Sequence, residues 1–384
     1  MLGIDFDETF NPVLKSTTLR LVIALATILP RPLRQLNVKN AFLHGKLKEI
    51  VYMTQPPGFE NPKHPNYVCQ LSSSIYGLKQ APRAWFGTFT LHLLKLGFKC
   101  SPIDSSLFVL HTSQGNAPLL LYVGDIVLTA SSEILLQKII DHLMSAFALK
   151  DLGTLNYFLG IEVVKFNGGI FLSQAKCATD LLTRIAMLEA SIISKPLAVK
   201  ENTTSRDKEL IDAKEYRKIV GALQYLTITR VDICHAINKV CQFMQSSTLT
   251  HLRQVKRILR YIKGTLHYGL WFYSNSPLSL TGFCDADWVG CTTTRRSTTG
   301  FCIFLGANCI SWSSKKQLTV ARSTAKAKYH ALASTTTEIV WITYLLRDIG
   351  ISLSSPPQLF LDNISALCIC LSIQFFMPEP NTLS

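Results

Sequence analysis

The sequence predicts an α+β protein of two or three domains, and three observations carry that reading. Apolar strand pairs joined by tight-turn residues alternate with runs of helical apolar period. A polar stretch at residues 194–215 breaks the pattern. Strand-like text then resumes after residue 278, with acids at the ends of separate strands. At 384 residues, 48% hydrophobic and only 17% charged, the chain has the composition of a folded protein rather than a disordered one. Its 39 Lys and Arg against 25 Asp and Glu leave a charge of +14, which suits a polyanion or an anionic surface as partner.

Taken in order, the chain opens on Asp5, Asp7 and Glu8, where a signal peptide needs basic and then apolar residues. An intracellular protein of the cytoplasm or nucleus, not secreted, is expected. The longest apolar runs, residues 21–30 and 119–129, fall short of the roughly 18 residues that cross a bilayer, so no transmembrane helix is expected. Eleven cysteines without a C-x-x-C pair predict reduced, mostly buried thiols rather than disulfides or a zinc site.

Residues 118–130 read as a hairpin with Gly124 and Asp125 at its tip. Ser132 is the expected N-cap of a helix whose Leu135, Ile139, Leu143 and Phe147 recur at helical spacing. A second hairpin, residues 157–164 and 170–173 around Asn167-Gly168-Gly169, is expected to complete one α+β unit. Beyond the polar stretch, two helices are predicted over residues 216–227 and 251–263. In the second, Leu252, Val255, Leu259 and Ile262 form an apolar stripe opposite Arg253, Lys256, Arg257, Arg260 and Lys263. That basic face is either a solvated surface or a phosphate-contacting one. The last third predicts a strand ending at Asp285 and Asp287, a strand pair near residues 299–305 and 308–313, a helix over 324–348, and a short strand ending at Asp362. Carboxylates at the ends of separate strands can gather around hard divalent cations.

Several motifs occur in a fixed order: Leu36-Asn37-Val38-Lys39-Asn40-Ala41-Phe42-Leu43-His44-Gly45, Tyr76-Gly77-Leu78-Lys79-Gln80-Ala81-Pro82-Arg83-Ala84-Trp85, Tyr122-Val123-Gly124-Asp125, Gly221-Ala222-Leu223-Gln224-Tyr225-Leu226, and Asp285-Ala286-Asp287-Trp288 with Arg295-Arg296-Ser297-Thr298. The set resembles the reverse transcriptase and RNase H portion of Ty1/copia-type retrotransposon Pol polyproteins. The resemblance implies right-hand polymerase palm and fingers at residues 1–175, truncated at the N-terminus. A thumb/connection region at 176–265 and a C-terminally truncated RNase H-like α/β domain at 266–384 would follow. It further implies RNA-templated DNA synthesis and RNA:DNA hybrid cleavage, Mg²⁺ as cofactor, and an RNA template, an RNA:DNA hybrid or DNA as partner.

Against that family the chain departs where the chemistry lies. Asp125, Asp285 and Asp362 match catalytic, metal-binding carboxylates, whereas Asn37, Gly124 and Lys326 occupy positions where the family has acids. Polymerisation needs two Mg²⁺ about 4 Å apart, and an amide oxygen or a glycine cannot supply the missing charge. Lys326 reverses the charge in the nuclease-like part and is expected to compete for Asp285. Candidate nucleic-acid contacts are Lys79, Gln80 and Arg83, then Lys256, Arg257 and Arg260, then Arg295 and Arg296. Trp288 reads either as core or as a stacking residue. The expected function is therefore a catalytically defective remnant, with a non-catalytic nucleic-acid-binding protein as the second reading. The tail, Phe376 to Ser384, can be back-translated so that a shifted frame spells His-Ala-Arg-Thr-Lys-His-Ile-Glu, the stretch that the family carries there. A frameshift before Phe376 is the expectation that follows.

Overall fold

The computed structural model describes residues 13–198, 209–291 and 293–367. The tail from Phe376 lies outside them, as does part of the polar stretch at 194–215. The chain divides into two compact units.

The first unit takes in Met1–Ala26, Pro30–Leu155 and Tyr344–Ile351. In chain order its elements are α1 (Ser16–Ile28), β1 (Leu33–Val38), a 3-10 turn (Ala41–His44), β2 (Tyr52–Thr54), β3 (Val68–Gln70), α2 (Ala81–Lys95), β4 (Lys99–Cys100), β5 (Leu107–Thr112), β6 (Gly115–Tyr122), β7 (Asp125–Thr129), α3 (Glu133–Ala146) and β8 (Leu149–Thr154). Six strands form one sheet in the order β4-β5-β6-β7-β1-β8, with every neighbouring pair antiparallel. Helix α3 starts where the sequence places it, with the Leu135 N–H donating to the Ser132 hydroxyl at 3.3 Å. It buries Leu135, Leu136, Ile139, Ile140 and Leu143, each contributing roughly 1.5–3 kcal/mol. These side chains share a core with Trp85, Phe89 and Leu93 of α2 and with the inward residues of β6 and β7.

The first hairpin differs from expectation by one residue. Tyr122 pairs with Asp125, so the turn is Val123-Gly124 and Asp125 opens β7. Val123, not Gly124, takes the left-handed conformation, at φ 55°. Two hydrogen bonds hold it there: the Trp85 indole N–H donates to the Val123 carbonyl at 2.6 Å, and the Val38 N–H to the Gly124 carbonyl at 2.8 Å. A β-branched residue at positive φ is strained, and the buried indole is what offsets that strain.

The second unit takes in Thr27–Leu29, Asn156–Thr343 and Ser352–Ser384. Its elements are β9 (Tyr157–Phe158), β10 (Ile161–Phe166), β11 (Gly169–Ser173), α4 (Ala175–Arg184), α5 (Ala213–Leu226), α6 (Cys234–Cys241), α7 (Leu249–Gly264), β12 (Gly269–Tyr273), β13 (Leu280–Ala286), β14 (Thr298–Leu305), β15 (Asn308–Lys316), α8 (Thr324–Ile349) and β16 (Gln358–Phe360). Helices α4 to α7 pack around one apolar cluster that includes Leu182, Tyr216, Leu223, Val255 and Ile258. Two four-stranded sheets complete the unit, in the orders β12-β11-β10-β9 and β15-β14-β13-β16.

The expected second hairpin is present but belongs elsewhere. Positive φ at Leu159 and Gly160 splits residues 157–164 into β9 and β10, and the hairpin turn is Asn167-Gly168. Strand β11 then pairs with β12, a hundred residues on, instead of joining the sheet of the first hairpin. Gly169 and Gly269 permit that pairing, since a Cβ at either would collide with a carbonyl of the opposite strand. The nine described cysteines form no disulfide, and only Cys284 is fully buried, so the thiols are half-buried rather than mostly buried. Among the described residues no helix is long and apolar enough to cross a membrane.

Trp85→Phe retains most of the buried ring and deletes only its bond to Val123. Urea unfolding should show a loss of about 1 kcal/mol; an unchanged midpoint would mean that the indole does not hold the turn.

Candidate functional site

The sequence-selected carboxylates lie in two separate centres. In the first unit, antiparallel pairing of β1 with β7 sets Asn37 directly opposite Asp125. The Asn37 amide N–H donates to Asp125 Oδ1 at 2.8 Å. Asp125 is half-buried, and the amide already uses one of its oxygens. Gly124 adds no ligand, and a Cβ there would lie 3.1 Å from the Val38 carbonyl and 3.3 Å from the Ala41 methyl. This centre offers one carboxylate and one neutral amide oxygen. Such a donor set does not fit a pair of divalent ions, whose charge needs several carboxylates.

In the second unit, parallel pairing of β13 with β16 matches Phe283 to Phe360, and the two rings stack at 5.3 Å. Two residues beyond that pair in each segment stand Asp285 and Asp362, on neighbouring chain segments of one sheet edge. Lys328, from the second turn of α8, reaches both. Its ammonium lies 3.0 Å from Asp285 Oδ1 and donates a close hydrogen bond to Asp362 Oδ1. The lysine side chain is 12% exposed, whereas the two carboxylates are 68% and 69% exposed. The bond to Asp362 raises the Lys328 pKa above its ordinary value, with Asp285 reinforcing it against burial. The same ammonium holds the Asp362 carboxyl below the usual range.

The residue expected to challenge Asp285 was Lys326, and the structure corrects this to Lys328. Lys326 is exposed, and its backbone N–H donates to the Ser323 hydroxyl at 3.2 Å. Residues two apart on a helix do not share a face, so only one lysine of Ala325-Lys326-Ala327-Lys328-Tyr329 can point at the strand ends. Buried Ala327 and Ala331 mark how the helix is rotated against Cys284 and Ala286. The tethered ammonium sits between the two acids and cuts their combined charge from −2 to −1, so a divalent ion would have to displace it. Among the described residues no group of three or more His, Cys, Asp or Glu could hold a metal ion.

The predicted nucleic-acid contacts are distributed over both units. Lys79 is exposed just before α2, Arg83 is half-buried in its first turn, and Gln80 is buried at the helix start. On α7, Lys256 is exposed, while the Arg257 Nε is buried without a hydrogen-bond partner. Arg260 is engaged within the protein, donating to the Ser191 carbonyl and hydroxyl at 2.6 Å each. Lys263 likewise donates to the Ala190 carbonyl at 2.8 Å. Two of that helix's five basic residues are therefore committed to the segment that follows α4. Arg295 is exposed at φ 56°, and Arg296 is half-buried, its carbonyl accepting from the Cys291 N–H. Trp288 is not core: it is 53% exposed and donates its indole N–H to the Ala321 carbonyl at 3.1 Å.

A family profile described as "Reverse transcriptase (RNA-dependent DNA polymerase)" matches residues 1–199. The chain is 45% identical over 369 residues, 96% of its length, to the "Retrovirus-related Pol polyprotein from transposon RE1" of Arabidopsis thaliana. It is 38% identical over 91% of its length to the corresponding polyprotein from transposon TNT 1-94 of Nicotiana tabacum. It spans about a quarter of the length of these two relatives, 25% and 27%. A shorter relative, the "Uncharacterized mitochondrial protein AtMg00810" of Arabidopsis thaliana, is 52% identical over 58% of the chain and is 93% covered by it.

The raised Lys328 pKa adds stability below its unfolded value of 10.5, lost as pH rises through the folded value. The lowered Asp362 pKa adds stability above 3.8, lost as pH falls through the folded value. Lys328→Met should return the Asp362 carboxyl, followed by NMR titration, to 3.8 or above; an unmoved titration would show that the ammonium is not its partner.

Proposed function

Because the chain belongs to the reverse transcriptase family, among Pol polyproteins of Ty1/copia-type transposons, we propose that it is a remnant of such a polymerase and RNase H in which both metal centres are closed by the chain's own side chains. The observation that carries this reading is the Lys328 ammonium lodged between Asp285 and Asp362. The Asn37–Asp125 hydrogen bond is its counterpart in the first unit.

The antiparallel sheet centred on β7 and β1 supports a palm with fingers within residues 1–175. The α4–α7 cluster supports a thumb/connection region within 176–265. The order β15-β14-β13-β16, with β16 parallel and α8 before it, supports an RNase H-like domain within 266–384. Reverse transcriptases generally use divalent metal ions; in this chain the donor sets do not fit them, and the expected result is loss of both reactions. An RNA template, an RNA:DNA hybrid or DNA remains the proposed partner, supported by the charge of +14 and by exposed Lys79, Lys256 and Arg295.

Primer extension on an RNA template and cleavage of an RNA:DNA hybrid, each with Mg²⁺ and with Mn²⁺, should both be undetectable. Extension abolished by Asp125→Asn, or cleavage abolished by Asp285→Asn, would overturn the proposal.

Charge restoration should act at the lysine that faces the acids. Calorimetry is expected to show a gain in Mg²⁺ binding for Lys328→Glu and none for Lys326→Glu. Asn37→Asp with Gly124→Asp should gain binding in the first unit once Val38 and Ala41 yield a few tenths of an ångström. Equal responses from the two lysine variants would contradict the assignment.

A further inference from the structure

The first unit holds a cleft whose lining includes neither Asn37 nor Asp125, though Gln80 and Arg83, two of the candidate nucleic-acid contacts, belong to it. It lies along the outer face of α2, between that helix, the 46–49 segment and Phe147 at the end of α3, and has a volume of about 790 Å³. Its floor is apolar, built from Phe86, Leu91 and Phe147. Its rim is cationic: Lys46, Lys48, Arg83 and Lys95 stand around it against one carboxylate, Glu49. Lys46, Lys48 and Lys95 are all exposed.

Two further observations point to an occupant. Gly87 opens into the cleft from the interior of α2, where glycine is disfavoured, yet a Cβ there would meet nothing within 4 Å. Neither backbone conformation nor packing requires that glycine, and the space above it is the cleft itself. In addition, Thr90 Oγ1 and His92 Nε2, on two lining residues, are buried without a hydrogen-bond partner. Buried polar atoms of this kind are uncommon in a finished packing arrangement.

We propose that this cleft binds a small amphipathic organic anion, with its apolar body on Phe86, Leu91 and Phe147 and its carboxylate, sulfonate or phosphate among Lys46, Lys48 and Lys95. The volume lies within the range of roughly 300–1,000 Å³ typical of small-molecule sites, and an apolar floor with a few convergent charges is the usual design of one. Three lysines line the one cleft, and charge-assisted hydrogen bonds to an anionic head are about twice as strong as neutral ones. A purely apolar ligand would leave this rim unused, and a simple phosphate would leave the floor unused.

Anilinonaphthalene sulfonate and its uncharged analogue phenylnaphthylamine, titrated by fluorescence against the full chain, separate the terms. The sulfonate should bind at one site per chain, be displaced by dodecanoate, and bind roughly tenfold or more tighter than the neutral analogue. Gly87→Trp places an indole in the cleft over its apolar floor and should abolish binding while leaving the melting temperature unchanged or higher. Leu91→Glu, at an exposed position of the apolar lining, serves as a second block and should weaken the sulfonate more than the neutral analogue. Lys48→Glu with Lys95→Glu should do the same. Equal binding of both probes, or binding that survives Gly87→Trp and Leu91→Glu in folded protein, would overturn the proposal. So would displacement by an oligonucleotide but not by dodecanoate, since the face would then be reading a phosphate backbone.

Discussion

Carboxylates that strand pairing forces together must be met by a counter-charge, and this constraint organises both centres of the molecule. Asp285 and Asp362 each stand two residues beyond the Phe283–Phe360 pair of the β13–β16 register, which brings the two segments side by side. Two like charges at such a spacing favour protonation or a cation between them. Here the cation is covalently attached, the Lys328 ammonium carried by α8. At the other centre the constraint is relieved differently: Asn37 removes a charge and offers a donor to the carboxylate that remains.

Both solutions leave the fold intact because they act at its margin. Asn37 is a cross-strand partner of Asp125, and an amide of nearly the same shape as a carboxylate keeps the β1–β7 register. Lysine is as good a helix former as glutamate, so α8 continues through Lys326 and Lys328 without interruption. The core beneath α2 and α3 does not involve these side chains. The apolar core and the candidate metal positions thus rest on different residues, and substitution at the second leaves the packing of the first in place.

Much of this was legible in the sequence. The Ser132 cap, the apolar stripes of α3 and α7, the strand ends at Asp285 and Asp362, and the family itself all follow from local pattern or ordered motifs. What was not legible depends on tertiary contact. The turn of the first hairpin is Val123-Gly124 rather than the expected Gly124-Asp125, and a buried tryptophan from another element grips the carbonyl of the left-handed Val123. Lys326 and Lys328 are equivalent in a motif; only the rotation of α8, set by Ala327 and Ala331, decides which one meets the acids. The pairing of β11 with β12 joins segments too far apart in the chain for any local period to link them. Helix α6, eight residues long, gave too little periodicity to be recognised.

The central claim is that a tethered ammonium takes the place of a divalent cation at the nuclease-like centre. Crystals of the full chain grown with Mn²⁺ and measured for anomalous scattering test it most directly. The account predicts no manganese peak within coordinating reach of Asp285 and Asp362, and clear density for the Lys328 side chain between them. A manganese ion bound by both carboxylates, with Lys328 swung out to solvent, would contradict it.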